Sequence, residues 1–147
     1  MRAVIQRVLS ARCTVDGRVT GEIGRGLLVF VGVGKNDTER DLMKCADKIA
    51  NIRIFEDEKG KMSKSTADVG GSVLLISNFT LYGSVKHGRR PEFLAAAGGE
   101  TAESFYNRLA AELEKTLCVR RGVFGADMRI DACNDGPVTI FFDTEQL

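Results

Sequence analysis

The architecture of the chain follows from one segment, Gly26-Leu27-Leu28-Val29-Phe30-Val31-Gly32-Val33, which is a near-continuous apolar run. Such a run is typical of a β-strand covered on both faces, because both of its alternating faces must then be hydrophobic. After this run, the spacing of the apolar residues changes to that of a helix. Thr38-Glu39-Arg40-Asp41 has the form of a capping box, and Leu42, Ala46 and Ile49 follow at helical spacing. A covered strand followed by an amphipathic helix predicts a domain of mixed α and β structure.

Strands are also predicted before this run. Met1 to Leu9 alternates polar and apolar residues, as a half-buried strand does. Arg12 to Val15 and Arg18 to Ile23 flank Asp16-Gly17, which is a two-residue hairpin signal. The first third of the chain is therefore predicted to be largely β-structure.

The second half of the chain also alternates between strands and helices. After a helix ending near Asn51, we expect a strand at Ile52 to Phe55 and a polar loop or short hairpin at Asp57 to Gly70. The apolar run within Gly71 to Leu81 predicts another strand, and an apolar stripe predicts a helix over Thr101 to Thr116. The last strands are predicted at Leu117 to Gly122, Met128 to Ala132 and Pro137 to Asp143.

The composition is that of an ordinary globular domain. The chain has 147 residues, 44% hydrophobic and 28% charged, with no linker, internal repeat or low-complexity stretch. A domain of this size can bury roughly 70% of its unfolded surface, so it needs no disulfide or metal to complete a core. No apolar run approaches the length of a membrane span, and the first residues lack a signal-peptide core. We expect one α+β domain over residues 1–147, in the cytoplasm and away from membranes.

Familiar catalytic constellations are absent from the sequence. The four cysteines have no C-x-x-C pair and no metal-ligand spacing, and two lie in apolar segments, as small buried hydrophobes do. A catalytic thiolate or a Ser-His-Asp triad would depend on His87, the single histidine, and no G-x-S-x-G elbow is present. We therefore expect no metal and no cofactor, and a chemistry that relies on backbone groups and on the substrate itself.

Three short segments are candidate sites. Ser77-Asn78-Phe79-Thr80-Leu81 places polar residues where an apolar strand ends, although hydroxyls that bond nearby backbone give the same pattern. Asn134-Asp135-Gly136-Pro137-Val138-Thr139 is a turn-forming cluster before a strand, which an ordinary β-turn would also explain. Lys86-His87-Gly88-Arg89-Arg90 is either a solvated loop or a phosphate contact, in a chain whose net charge is only +1.

Together, the first two segments resemble the signature motifs of the D-aminoacyl-tRNA deacylase family. Other stretches similar to family landmarks occur in the right order along the whole chain: Met1 to Val8, Gly24 to Val29, Arg53 to Asp57, Gly88 to Pro91 and Phe124 to Met128. The resemblance implies mixed and antiparallel β-sheets that form a barrel-like sandwich with helices packed outside. It also implies a homodimeric, tRNA-binding hydrolase of translation quality control, which removes D-amino acids, and glycine, from tRNA.

The resemblance further implies how the enantiomers are distinguished. Gly136 and Pro137 match the family's Gly-cisPro element, which one subunit inserts into the pocket of the other at the interface. Its carbonyl oxygens would exclude an L side chain, whereas glycine would pass. Arg7 matches the arginine that holds this element. Other implied substrate contacts are Phe124, Gly125, Ala126 and Met128, and implied tRNA contacts are Lys86, Arg89 and Arg90.

Ser77, Phe79 and Thr80 match the family motif that lines the pocket around the ester and the terminal adenosine. We infer that backbone N–H groups near Phe79 and Thr80 stabilise the developing oxyanion, a contribution of about 3 kcal/mol per donor. The 2′-hydroxyl of the terminal ribose would activate the attacking water. Thr80 as a nucleophile is the rival mechanism, although a hydroxyl without a neighbouring base is a poor nucleophile.

Two positions depart from the family pattern. Asn78 stands where glutamine is usual, so the amide is one methylene shorter and its contact can be lost or bridged by water. Glu92 follows Pro91 where serine is common, and it adds a negative charge beside the basic loop.

Two functions of other classes remain open. A non-catalytic nucleic-acid-binding module would contact phosphates and bind with a steep salt dependence, but the chain has no Trp and only two Tyr for base stacking. Its contacts would be Lys86, Arg89, Arg90, Arg120 and Arg121. An adaptor dimer would keep the fold and lose the site, which the intact Gly136-Pro137 and Thr80 argue against.

Overall fold

The computed structural model describes residues 1–147 and contains eight strands, two α-helices and two 3-10 helices. In chain order they are β1 (Arg2–Val15), β2 (Arg18–Ile23), β3 (Gly26–Gly32), α1 (Glu39–Asn51), β4 (Phe55–Glu56), β5 (Met62–Lys64), β6 (Ser72–Ser77), the 3-10 helix Phe79–Tyr82, α2 (Gly99–Glu114), β7 (Cys118–Arg121), β8 (Arg129–Asp143) and the 3-10 helix Thr144–Gln146. The mixed α+β class predicted from the sequence is confirmed.

Six of the strands form one sheet that curls into a nearly closed barrel. β1 pairs with β8 along one edge and, along the other, with β3 in its first half and β2 in its second half. On its other side β3 pairs in parallel with β6, and β6 pairs in parallel with β7. β2 then approaches β7 so closely that a Cβ on Gly21 would lie 2.7 Å from the Arg121 carbonyl oxygen. The barrel-like sheet that the family resemblance implied is thus present, and a residue without a side chain lets its ends meet.

β3 is buried on both faces, as its apolar run predicted. Leu27 and Val29 pack in the main core with Leu42 of α1 and Leu109 of α2. Leu28 belongs to a second core cluster inside the barrel. The sheet therefore has helices on one face and the barrel interior on the other.

The helices and turns follow the predicted signals closely. The Thr38 N–H and hydroxyl both donate to the Asp41 carboxylate, at 2.9 and 2.7 Å, which fixes the start of α1. Asp16 and Gly17 adopt positive φ angles of 49° and 76° in the tight turn between β1 and β2. α2 lies two residues earlier than the predicted helix at each end.

Four predicted strand assignments are wrong, three of them outside β8. β1 is a single strand through residues 10 and 11, because Ser10 and Ala11 pair with Cys133 and Ala132 of β8. The strand predicted at residues 52–55 is reduced to Phe55–Glu56, and the Ile54 carbonyl accepts a hydrogen bond from Arg7 instead of from a strand partner. The apolar run that ends at Leu81 leaves the sheet after Ser77.

The turn-forming cluster at residues 134–137 lies within β8 and does not separate two strands. Between Gln6 and Val8 of β1, the paired residue on β8 moves from Thr139 to Asn134, so the intervening residues bulge out of the ladder. The cluster thus interrupts the pairing, as a turn does, but β8 pairs with β1 both before and after it.

Candidate active site

A cavity of about 670 Å³ opens where β6 ends. Sixteen residues line it, ten of them hydrophobic. They come from β3 and the residue after it, from β6 and the 3-10 helix that follows, from α2 and the segment before it, and from the segment that leads from β7 into β8. They are Phe30, Val33, Ile76, Ser77, Asn78, Phe79, Thr80, Ala97, Gly99, Ala102, Phe124, Gly125, Ala126, Asp127, Met128 and Ile130. The cavity is a largely apolar pocket of a size suited to a small organic group.

Two of the predicted site segments meet in this cavity. Ser77, Phe79 and Thr80 form one wall, and the Phe124 to Met128 segment forms another. They lie about fifty residues apart in the sequence, but β6 and β7 are parallel neighbours, so the residues after each strand emerge at the same edge of the sheet. The Gly122 N–H donates to the Leu75 carbonyl at 3.1 Å and extends this contact beyond β7.

Asn78 caps the 3-10 helix that carries the first wall. Its Oδ1 accepts hydrogen bonds from the Thr80 N–H, at 3.2 Å, and from the Thr80 hydroxyl. The Asn78 side chain, which is one methylene shorter than glutamine, thus bonds to Thr80 two residues later in the same segment. The Thr80 N–H and hydroxyl are both engaged with Asn78, whereas no side chain accepts a hydrogen bond from the Phe79 N–H.

The cavity contains few groups that could act as an acid, a base or a nucleophile. Asp127 is the only charged side chain among the lining residues, and no histidine or cysteine lines the cavity. No three His, Cys, Asp or Glu side chains are grouped so as to hold a metal ion. Cys13 and Cys45 are buried, and burial raises the pKa of the Cys45 thiol to about 12. The chemistry available here is therefore that of backbone N–H groups, hydroxyls and one carboxylate.

The basic loop leaves the cavity wall directly after the 3-10 helix. Phe79, 55% exposed, packs edge to face on Phe93 with 5.0 Å between ring centroids. Ser84 and Glu92 close the base of the loop by two backbone hydrogen bonds of 2.9 Å. Within it, Lys86, Arg89 and Arg90 are exposed, form no ion pair and do not line the cavity. Glu92 thus contributes its backbone to the base of the loop.

Arg7 anchors the turn that contains Gly136 and Pro137. Its buried guanidinium donates to the Ile54 carbonyl at 2.7 Å and to the Asp135 carbonyl at 3.1 Å, and it pairs with the Asp135 carboxylate at 3.2 Å. The Gly136-Pro137 peptide bond is cis, and both residues are exposed. Neither they nor Arg7 line the cavity of their own chain.

Sequence reasoning missed half of the residues that line the cavity. Phe30, Ala97 and Ala102 carried no chemical signal, since they contribute only apolar or small walls. Asp127 lies in the segment from Phe124 to Met128, where a single carboxylate gives no chemical signal of its own. Phe30, Ala97 and Ala102 are identified as site residues only because β3, β6 and α2 pack around the same cavity.

Neither α-helix has the length and apolar character needed to cross a membrane.

Comparisons with known proteins agree along nearly the whole chain. The sequence profile of the family described as D-Tyr-tRNA(Tyr) deacylase matches residues 4–143. Proteins named D-aminoacyl-tRNA deacylase from Clostridium botulinum are similar to this chain: that of strain Hall is 50% identical and that of strain Eklund 17B is 52% identical, each over 99% of both chains.

Two solved structures share the fold. One, named c-Myc DNA Unwinding Element Binding Protein, is 44% identical, with a TM-score of 0.92 over 97% of this chain and 98% of that one. The other, described as a probable eukaryotic D-amino acid tRNA deacylase, has a TM-score of 0.84 over 96% of this chain and 97% of that one. At 17% identity the second likeness concerns the fold alone.

Proposed function

The chain belongs to the D-Tyr-tRNA(Tyr) deacylase family, and on that premise we propose that it hydrolyses the ester bond of D-aminoacyl-tRNA, releasing the free D-amino acid and tRNA. The observation that carries this proposal is the cavity where the Ser77 to Leu81 and Phe124 to Met128 segments meet. It holds no side-chain base beyond one carboxylate and no metal cluster. An ester already activated by the neighbouring hydroxyl of its own ribose suits such a site.

We propose that the attacking water is activated by the 2′-hydroxyl of the terminal ribose and that the Phe79 N–H stabilises the oxyanion. One such donor contributes about 3 kcal/mol to transition-state stabilisation. A nucleophilic Thr80 is disfavoured, because its hydroxyl donates to the Asn78 amide and to no carboxylate or imidazole that could act as a base. D-aminoacyl-tRNA ending in 2′-deoxyadenosine should be cleaved far more slowly than its ribose counterpart. Equal rates would contradict the ribose-assisted mechanism and redirect attention to Thr80.

The proposed working form is a homodimer with a site at the subunit interface, acting in the cytoplasm. β8 pairs only with β1, so its outer edge is free. Phe141 on β8, 54% exposed, is paired with Val4 on β1, which in turn is paired with Phe30 on β3, one of the cavity residues. A row of apolar side chains thus leads from an open sheet edge to the cavity, as a subunit contact requires.

Within that dimer we propose that Gly136 and Pro137 of one subunit enter the cavity of the other and select the enantiomer. Both residues are exposed and directly follow Asp135, whose carbonyl accepts a hydrogen bond from Arg7, yet they lie outside the cavity of their own chain. Carbonyl oxygens against the chiral centre would reject an L side chain and admit a D side chain. Glycine, having no side chain, would also pass, so glycyl-tRNA is a second proposed substrate.

The deciding experiment is hydrolysis of matched D- and L-tyrosyl-tRNA by the purified protein, with EDTA present. Release of tyrosine from the D-ester alone is expected. Release from neither ester would refute the deacylase proposal, and equal release from both would refute chiral selection while leaving an esterase.

A second candidate is nucleic-acid binding without catalysis, which the name of the 44% identical solved protein favours. Lys86, Arg89 and Arg90 are exposed and unpaired, as phosphate contacts would be. Binding of tRNA with a steep salt dependence but without ester turnover would support this function over the deacylase.

A further inference from the structure

We infer that Asp127 binds the α-ammonium group of the substrate and so makes the site prefer aminoacyl esters to uncharged acyl esters. The inference rests on the proposed function, since it concerns the acyl group that the same cavity would hold.

The position of Asp127 in the cavity supports the assignment. It is the only charged side chain among the sixteen lining residues, ten of which are hydrophobic. Its carboxylate forms no salt bridge with any cationic group of the chain. Asp127 is exposed in the free protein, so its carboxylate would lose water when an acyl group fills the cavity, at a cost that a cation beside it would offset.

The charge of the substrate matches this arrangement. The end of an aminoacyl-tRNA carries one positive group, the α-ammonium, while the rest of the molecule carries phosphates. Lys86, Arg89 and Arg90 continue from the Phe79 wall of the cavity, and Asp127 lies on the other wall, in the segment after β7. Phosphates near the acceptor end at the basic loop, and the ammonium at Asp127, would each lie beside a group of opposite charge.

The test compares two nearly isosteric esters, D-phenylalanyl-tRNA and D-phenyllactyl-tRNA, which differ by an ammonium or a hydroxyl at the α-carbon. For each enzyme the ratio of kcat/KM on the two esters is measured. The change in that ratio between wild type and Asp127→Asn cancels the intrinsic reactivity of each ester, as a double-mutant cycle does. We expect the ratio to fall about tenfold, mainly through a higher KM for the amino ester, as for a lost charge-assisted hydrogen bond.

Two further variants separate recognition from structure. Asp127→Glu keeps the charge and should restore most of the preference. Asp131→Asn removes an exposed carboxylate on β8 and should leave the ratio unchanged. Thermal melting and the sedimentation coefficient check that each variant keeps its fold and its assembly.

An unchanged ratio in Asp127→Asn, or an equal fall in activity on both esters, would overturn the inference while leaving the deacylase proposal in place. Failure of the wild type to cleave either D-ester would instead overturn the proposed function, and the inference with it.

Discussion

At the scale of single residues, Asn78 has the clearest structural role in the candidate site. Its side-chain oxygen caps the 3-10 helix by accepting from the Thr80 N–H and hydroxyl. Replacement by alanine should therefore lower the free energy of unfolding by about 1 kcal/mol, the usual cost of a lost cap. It should also lower kcat, because the Phe79 N–H is no longer held in place.

Urea unfolding and steady-state kinetics check this expectation. Asn78→Asp keeps the accepting oxygen and should stay within a few tenths of a kcal/mol of the wild type. Equal stability of the alanine variant and the wild type would show that the cap contributes nothing.

Pro137 should matter for selectivity more than for folding. Proline fixes its φ angle and lacks an N–H, and alanine would relax the exposed turn and add a donor. We expect Pro137→Ala to remain folded, with either a ratio of D-ester to L-ester kcat/KM that falls about tenfold or more, or an activity that collapses on both esters. Pro91→Ala, at the only other proline, is the matched control. Wild-type discrimination in Pro137→Ala would remove the turn from the selection mechanism.

At the scale of secondary-structure elements, local signals were sufficient for most of the fold. The apolar run of β3, the Asp16-Gly17 turn and the Thr38 cap of α1 each depend on neighbours in sequence, and all three are present. The wrong strand boundaries lie where pairing with a strand distant in sequence determines how far a strand extends. β8 is continuous because β1 pairs with it on both sides of the bulge at residues 134–137, which no local pattern contains.

The residues of the candidate site show the same division between local sequence signals and contacts with distant segments. Ser77, Phe79 and Thr80 could be predicted because polar residues at the end of an apolar strand carry a signal, and the family resemblance strengthened it. Asp127 could not, since a lone carboxylate on an exposed segment has no signal until β6 and β7 place it beside a cavity.

The start of α1 is also joined to the end of the chain, and this contact should be sensitive to acid. Burial alone would raise the pKa of the Asp41 carboxyl, but hydrogen bonds from Thr38 and from the Thr144 hydroxyl, together with the Met1 ammonium, lower it to about 2. Since the pKa in the folded protein is below the unfolded value of about 3.9, the stabilisation is present above pH 4 and is lost as the pH falls towards about 2.

We therefore expect the wild type to lose more stability than Asp41→Asn between pH 6 and pH 2.5, by about 1 kcal/mol, because solvent screens this partly exposed carboxylate. Urea midpoints at the two pH values measure the difference. Asp131→Asn, at an exposed carboxylate on β8, should show the same loss as the wild type. Parallel losses in the wild type and Asp41→Asn would show that this carboxylate does not contribute to acid sensitivity.

At the scale of the whole molecule, one question is whether Gly136 and Pro137 act on their own cavity or on that of a partner. In a single chain the turn lies outside the cavity, while the apolar row from Phe141 to Phe30 leaves a face on which a second copy could dock. Exchange of the turn between subunits would make each site depend on both chains. Mixed dimers can then recover an activity that neither parent has.

Two damaged subunits provide the test of this dependence. Pro137→Ala damages the turn, and Ala126→Trp fills the cavity that Ala126 lines. If the turn acts across the interface, a mixed dimer has one intact site, built from the cavity of the first variant and the turn of the second. Random re-association makes about half of the dimers mixed, so D-selective activity should recover to about a quarter of the wild-type value. A turn that serves its own chain would leave both sites of the mixed dimer damaged, and mixing would then restore nothing.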